Sequence, residues 1–149
     1  MKCALVDDDP LFNEEVIAEL GGRFPSLQIE VIKTEKEFRE RLADPAKFNF
    51  DLVILDVMVH WADQSEESLP DPATVKGGYF RAGIRCLEEI LKREELATVP
   101  VIIHSALDKD QVLAKVREQK LAEDHLTIIS KRSDLANFCE AVQKQMPAA

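Results

Sequence analysis

The chain has 149 residues and is 46% hydrophobic, which is enough for one domain with a sizeable buried core. Its formal net charge of −9 argues against direct binding of nucleic acid, and no apolar run reaches the ~18 residues that a membrane helix needs. Because Met1-Lys2 does not lead into a signal peptide, we expect a cytoplasmic protein without a membrane span.

The first half of the chain alternates short apolar runs with helical patterns. Pro10 suits the first turn of a helix, and Thr34 with Glu37 forms the signature of a capping box at the start of another. In chain order, the predicted elements are a strand at 3–6, a helix at 10–22, a strand at 27–32, a helix from Thr34 to about Leu42 and a strand at 51–55.

The second half continues the same alternation. The predicted elements are a helix at 83–95, a strand at 99–105, a helix at 108–121, a strand at 126–130 and a helix at 133–146 that begins at Ser133. Strands that alternate with helices of ten or more residues predict a doubly wound α/β fold with a parallel sheet and right-handed crossovers. The stretch 57–82 is long for a connection between a strand and a helix.

Polar residues follow four of the five predicted strands. The carboxyl ends of parallel strands share one edge of the sheet, where open α/β folds bind their ligands. Acids there can hold a divalent cation such as Mg²⁺, while a hydroxyl and an ammonium can hold phosphoryl oxygens. Asp56 stands alone after an apolar strand, which suits a carboxylate that forms an aspartyl phosphate. The full set is Asp7, Asp8 and Asp9 after the first strand, Asp56 after the third, Ser105 after the fourth and Lys131 after the fifth.

Four segments together resemble the receiver domain of two-component response regulators. They are "ALVDDDPLF", "DLVILDVM", "VPVIIHSA" and "LTIISK", and the stretch "GIRCLEEILKREELATVPVIIHSA" also follows the family's pattern without a gap. The resemblance covers nearly the whole chain. It implies a five-stranded parallel sheet of order 2-1-3-4-5 flanked by five helices.

The resemblance also implies a role for each residue of the site. Asp56 would be the phosphoacceptor, Ser105 the switch hydroxyl and Lys131 the lysine that pairs with the phosphate. The implied Mg²⁺ ligands are Asp7 and Asp8, with Asp8 the more direct, together with Asp56 and the backbone carbonyl of Met58.

A receiver domain over 1–149, with an insertion at about 59–81, implies a signalling function. It would take a phosphoryl group from a sensor histidine kinase or a phosphotransfer protein, and would catalyse its own phosphorylation and dephosphorylation without being a conventional enzyme. Its output would reach a downstream protein partner or an effector domain. Because the chain ends just after the fifth helix, we expect a single-domain regulator or a fragment of a longer protein.

Four features depart from the family's pattern. Val59-His60 stands where Met-Pro is usual, Arg132 replaces the proline that normally follows the lysine, and Ile128 replaces an aromatic residue. The segment from Asp56 to Gly83 is also roughly 19 residues longer than usual. The insertion is expected either to cover the site or contact a partner, with Trp61 or Tyr79 as an aromatic anchor, or to be a passive loop.

Two other functions fit parts of the sequence. "DDD" also resembles the Asp-x-Asp motif of haloacid-dehalogenase-type phosphatases, with Asp7 as nucleophile and Asp9 as acid/base, but Asp56 would then have no role. A pseudo-receiver that acts only as a docking module is the third alternative, and the complete set of acids, hydroxyl and lysine argues against it.

The three cysteines and His104 are expected in the core. Cys3, Cys86 and Cys139 are odd in number and form no CxxC pair, so we expect reduced, buried thiols. His104 precedes Ser105 on the predicted strand, and side chains alternate along a strand. His104 should therefore face away from the site.

Overall fold

The computed structural model describes residues 1–62, 78 and 81–147. Its strands are β1 (Lys2–Val6), β2 (Gln28–Ile32), β3 (Leu52–Leu55), β4 (Val101–Ser105) and β5 (Leu126–Ser130). Its helices are α1 (Pro10–Arg23), α2 (Glu35–Ala43), α3 (Ala82–Leu91), α4 (Lys109–Glu118) and α5 (Leu135–Gln145), with a short 3₁₀ helix at Glu94–Leu96. The strands form one parallel sheet of order β2-β1-β3-β4-β5.

The sheet has an apolar core on each face. On one face α2, α3 and α4 bury side chains such as Phe38, Leu87 and Val112, and on the other α1 and α5 bury Val16 and Phe138. Successive residues of the central strand β3 belong alternately to the two cores, as the period of two in a strand requires. The predicted doubly wound α/β fold is confirmed, and so is the sheet order.

The register of the sheet brings the strand ends together. Val6 of β1 pairs with Leu55 of β3, and the N–H of Asp56 donates to the carbonyl of Val6 at 2.9 Å. Asp7 and Asp56, the next residues on the two strands, therefore lie side by side at the carboxyl edge.

Three predicted helix ends were wrong by a few residues. The helix predicted at 83–95 ends at Leu91 and gives way to the 3₁₀ helix, and the one predicted at 108–121 ends at Glu118. The last helix does not begin at Ser133, because the neighbouring Asp134 is its N-cap and accepts from the N–H of Asn137 at 3.0 Å.

The base of the insertion is attached to two helices. The carbonyls of His60 and Trp61 accept from the N–H groups of Glu35 and Lys36 at 2.9 and 2.8 Å, in the first turn of α2. At the other end, the N–H of Gly83 donates to the carbonyl of Val57 at 2.8 Å. The middle of the insertion, 63–77 with Tyr79, lies outside the described residues.

The three cysteines are free and buried, as predicted. In the part of the chain that the structure describes, every helix is too short or too polar to cross a bilayer.

Candidate functional site

A lysine bridges two buried aspartates at the carboxyl edge of the sheet. Lys131 Nζ lies 2.6 Å from Asp7 Oδ2 and 3.1 Å from Asp56 Oδ2. Asp7 is 2% exposed and Asp56 is 6% exposed, so water screens these contacts little. The structure thus brings together three of the predicted site residues, from the ends of β1, β3 and β5.

The charges at this bridge are not fully balanced. Burial raises the pKa of Asp7 and of Asp56 above the ordinary value, and although Lys131 opposes the rise, it does not cancel it. Burial also lowers the pKa of Lys131, but Asp56 and Asp7 together outweigh burial, so the net effect is a raised pKa. The lysine stays charged, and the carboxylates remain short of positive charge.

Ser105 and Met58 complete the surroundings of Asp56. Ser105 ends β4, is 1% exposed, and its hydroxyl helps to oppose the rise in the pKa of Asp56. The hydroxyl also accepts from the N–H of Leu107 at 3.3 Å. The N–H of Met58 donates to Asp56 Oδ1 at 3.3 Å, so the turn after β3 folds around this carboxylate.

The loop after β5 reaches the site without the family's usual proline. The N–H of Arg132 donates to Ser130 Oγ at 3.2 Å, a bond that a proline could not make. The N–H of Ser133 donates to the carbonyl of Ser130 at 3.0 Å, and the N–H of Lys131 to that of Ser105 at 2.7 Å. These bonds position Lys131 through a serine turn.

Asp8 belongs to a different contact. Its Oδ2 accepts from the backbone N–H of His60 at 2.9 Å and also contacts Nδ1 of the same histidine. Asp8 is one of the predicted metal ligands, and the sequence did not predict that a histidine at the start of the insertion contacts it.

Asp9 caps α1. Its Oδ1 accepts from the N–H groups of Leu11 and Phe12, each at 3.1 Å. The acid/base role that the phosphatase alternative gives to Asp9 would compete with this capping bond.

A second buried ion pair joins α2 and α3. Glu35 of α2 is fully buried, and Arg85 of α3 donates to both of its carboxylate oxygens, at 3.0 and 2.6 Å. Arg39 also donates to Glu35, and Arg85 donates to the carbonyl of Gly78 at 2.6 Å. The sequence signal was weak, because Glu35 and Arg85 each fit the polar face of their own helix and are 50 residues apart.

His104 lies in the core, as predicted. It stacks on Phe138 with ring centroids 4.2 Å apart, and its other neighbour, Phe12, is 5.2 Å away. Burial lowers the pKa of His104 to about 4, and the charge of Lys131 contributes. Its Nδ1 finds no hydrogen-bond partner among the described residues.

Within residues 1–62, 78 and 81–147, no three His, Cys, Asp or Glu side chains form a ready-made metal cluster. The acidic residues instead face Lys131, His60 or backbone N–H groups. The donor set is nonetheless one of carboxylate and carbonyl oxygens, the ligands that hard divalent cations prefer.

Comparison with solved structures identifies the fold. The chain is similar to the receiver domain of HemR from Leptospira biflexa, at 25% identity over 99% of this chain and 98% of that one, with a TM-score of 0.63. It is also similar to the BeF₃-activated N-terminal receiver domain of RstA from Klebsiella pneumoniae, at 19% identity over 97% of both chains and a TM-score of 0.67. The signal receiver domain of a DNA-binding response regulator from Colwellia psychrerythraea matches at 15% identity, over 97% of this chain and 96% of that one, with a TM-score of 0.69.

No family model matches the chain, and no curated protein does so. The class that the sheet order and the structural neighbours define is the response regulator receiver domain, and this chain has that fold. The resemblance predicted from the sequence is therefore confirmed.

Proposed function

We propose that this chain is a phosphoacceptor receiver domain, which takes a phosphoryl group from a sensor histidine kinase or a phosphotransfer protein onto Asp56. The observation that carries the proposal is the position of Asp56, buried at the end of β3 with Lys131 Nζ 3.1 Å from its carboxylate. A nucleophilic carboxylate that becomes an acyl phosphate needs such a cation beside it, because the phosphoryl group brings further negative charge.

The proposed reaction is a displacement at phosphorus. A carboxylate oxygen of Asp56 attacks the phosphorus of a phosphohistidine, and the new P–O bond forms as the P–N bond breaks. The electron pair of that bond stays on the donor imidazole, which takes up a proton from water. Lys131 and Ser105 then turn from Asp56 to the phosphoryl oxygens that it carries.

Mg²⁺ fits the oxygen donors of the site. Asp8, Asp56 and the backbone carbonyl of Met58 would hold it, with Asp7 beside them. When bound, the ion supplies positive charge that offsets the charge of the transferring group. The two carboxylates of Asp7 and Asp56 share one lysine, so a further cation would offset the remaining negative charge.

The proposed output is a change at β5 and its neighbouring helices. Ser105 pairs with Ser130 across β4 and β5, so a shift of the hydroxyl toward a phosphate can pass to β5. Ile128 on β5 is buried. A change in its packing would replace the rotation of the aromatic ring that the receiver family usually has at this position. The face formed by α4, β5 and α5 would bind a downstream protein or an effector domain.

We further propose that 1–149 is one receiver domain with its insertion at about 59–81, and that it acts in the cytoplasm. The net charge of −9 supports a protein partner over direct contact with nucleic acid.

Intact mass spectrometry after incubation with acetyl phosphate and Mg²⁺ tests the proposal. We expect the wild-type chain to gain the mass of one phosphoryl group and Asp56→Asn to gain none. Asp51→Asn is the matched control, because Asp51 directly precedes β3 at the opposite edge of the sheet, and it should be labelled as wild type.

Three results would contradict the proposal. Undiminished labelling of Asp56→Asn would remove Asp56 as the acceptor, and a label mapped to Asp7 would favour the phosphatase. A wild-type chain that gains no label from either acetyl phosphate or a phosphorylated histidine donor would favour the docking module.

A further inference from the structure

His60 contacts the carboxylate that the proposed function assigns to the metal. Two groups of this residue, its backbone N–H and its imidazole Nδ1, reach the same oxygen, Asp8 Oδ2. Residues 8 and 60 are 52 positions apart, so only the fold brings them together. A proline at the same place would offer neither the backbone N–H nor a side chain that can bond to Asp8.

The backbone of His60 is fixed independently of its side chain. Its carbonyl accepts from the N–H of Glu35 at 2.9 Å, and the carbonyl of Trp61 accepts from the N–H of Lys36 at 2.8 Å. Both donors are in the first turn of α2, where N–H groups otherwise lack partners. The imidazole can therefore leave Asp8 by rotating about its own side-chain bonds, while the backbone stays where it is.

The exposure of the two side chains fits a contact that opens and closes. The His60 side chain is 51% exposed and that of Asp8 is 18% exposed, so water and ions reach both. Lys131, by contrast, is 15% exposed and contacts Asp7 and Asp56 rather than Asp8. Of Asp7, Asp8 and Asp56, only Asp8 has a histidine as its described side-chain partner.

We propose that His60 is an intramolecular competitor for the metal, whose imidazole occupies Asp8 until a divalent cation displaces it. The inference rests on the proposed function, because it takes Asp8 as a ligand of Mg²⁺. Competition follows from chemistry: Mg²⁺ prefers oxygen donors and gains little from an imidazole nitrogen, so ring and ion contend for one carboxylate oxygen. His60 thereby couples the metal site to the start of the insertion.

With this competition, the apparent affinity for Mg²⁺ equals the intrinsic affinity multiplied by the fraction of molecules in which Asp8 is free of the ring. A hydrogen bond of ordinary strength keeps most molecules in the closed form. Its removal should then tighten metal binding by about three- to tenfold.

Calorimetric titration of the unphosphorylated chain with MgCl₂, at one fixed pH, measures this effect. We expect His60→Ala to bind Mg²⁺ about three- to tenfold more tightly than wild type. Alanine keeps the backbone N–H that donates to Asp8 and removes only the ring. His125→Ala is the matched control, since His125 is exposed and directly precedes β5 at the opposite edge of the sheet, and its affinity should equal that of wild type.

A second measurement follows the ring itself. The chain has three histidines, so the ring signals in a ¹H–¹³C NMR spectrum are few, and the one lost in His60→Ala identifies His60. On addition of Mg²⁺ to the wild-type chain, the His60 signal should move toward that of a histidine in water. The signals of His104 and His125 should stay in place.

Each other outcome overturns the proposal. Equal affinity of wild type and His60→Ala would mean that the ring does not compete, and weaker binding by the variant would make His60 a ligand or a support for the metal. Failure of both to bind Mg²⁺ would overturn the metal assignment as well. Labelling of Asp56 by acetyl phosphate remains a separate measurement, so the proposed acceptor can stand while this inference fails.

Discussion

Each of the three consecutive aspartates after β1 has a different partner. Asp7 is buried and bonded to Lys131, Asp8 contacts His60, and Asp9 caps α1. Three adjacent carboxylates at the end of a buried strand would repel one another if all faced the same way. The fold separates them, so that one acid lies in the interior of the site, one at its rim and one on a helix end.

His104 should make the chain sensitive to acid. Its pKa is lowered from 6.5 to about 4, because burial between Phe12 and Phe138 disfavours the charged ring. The neutral form's contribution to stability is fully present above the unfolded pKa and is lost as the pH falls from 6.5 toward 4. From the two pKa values of His104, the free energy of unfolding should fall by about 2.5 kcal/mol between pH 7 and pH 4.5.

His104→Phe tests this expectation, because phenylalanine keeps the stack and cannot take up a proton. Urea unfolding at about pH 7 and about pH 4.5 should show that the variant loses about 2.5 kcal/mol less than wild type over this interval. Asp7 and Asp56 titrate in both proteins, so their effect cancels in the comparison. Equal losses would show that His104 does not become charged in this range.

At the scale of elements, the start of α3 lies directly against the turn that follows β3 and contains Asp56. A Cβ at Gly83 would lie 2.1 Å from the carbonyl oxygen of Asp56 and 2.7 Å from the Cα of Val57. Both are backbone atoms, so neither can turn aside. After the insertion the chain thus returns directly against the backbone of Asp56, and a residue without a Cβ permits this close approach.

Gly83→Ala should therefore be destabilising, although alanine favours a helix more than glycine does. Overpacking of this kind costs about 1–3 kcal/mol, and the free energy of unfolding in urea should fall by that amount. Gly21→Ala is the matched control in α1, since a Cβ there would meet nothing within 4 Å. It should leave stability unchanged or raise it by about 0.5–1 kcal/mol. A Gly83→Ala chain as stable as wild type would show that α3 can shift away from Asp56 without cost.

At the scale of the whole molecule, local patterns predicted the sheet and the identity of the residues at its carboxyl edge. Hydrophobic runs located every strand. In a parallel sheet the residues that follow the strands lie at one edge. These two facts were enough to predict that the polar residues of the site meet there, namely Asp7, Asp56, Ser105 and Lys131. Long-range polar partners could not be predicted in this way. Whether Asp8 faces Lys131 or His60 depends on the path of the insertion, which has no periodic pattern.

The buried pair of Glu35 and Arg85 was missed for the same reason. Both residues fit amphipathic helices, and charged residues on helices are mostly exposed. Burial of Glu35 follows only from the packing of α2 against α3. The start of α5 differed because a single neighbouring residue can provide a better cap, as Asp134 does next to Ser133.

Residues 60–62, at the base of the insertion, should contribute to the free energy of unfolding of the whole molecule, and 63–77 should not. Two chains with the same short Gly-Ser linker can separate these parts: one replaces 63–77, and the other replaces 60–77 and so also removes His60, Trp61 and Ala62. The chain that lacks only 63–77 should unfold in urea within about 1 kcal/mol of wild type, since shortening a loop has a small effect on closure entropy.

The chain that lacks 60–77 loses the two carbonyls that accept from Glu35 and Lys36, together with the buried side chain of Ala62. Unpaired N–H groups at a partly buried helix end cost about 1–3 kcal/mol each, so this chain should be less stable than the first by at least that amount. Equal stability of the two chains would show that water or the linker caps α2 as well as residues 60 and 61 do.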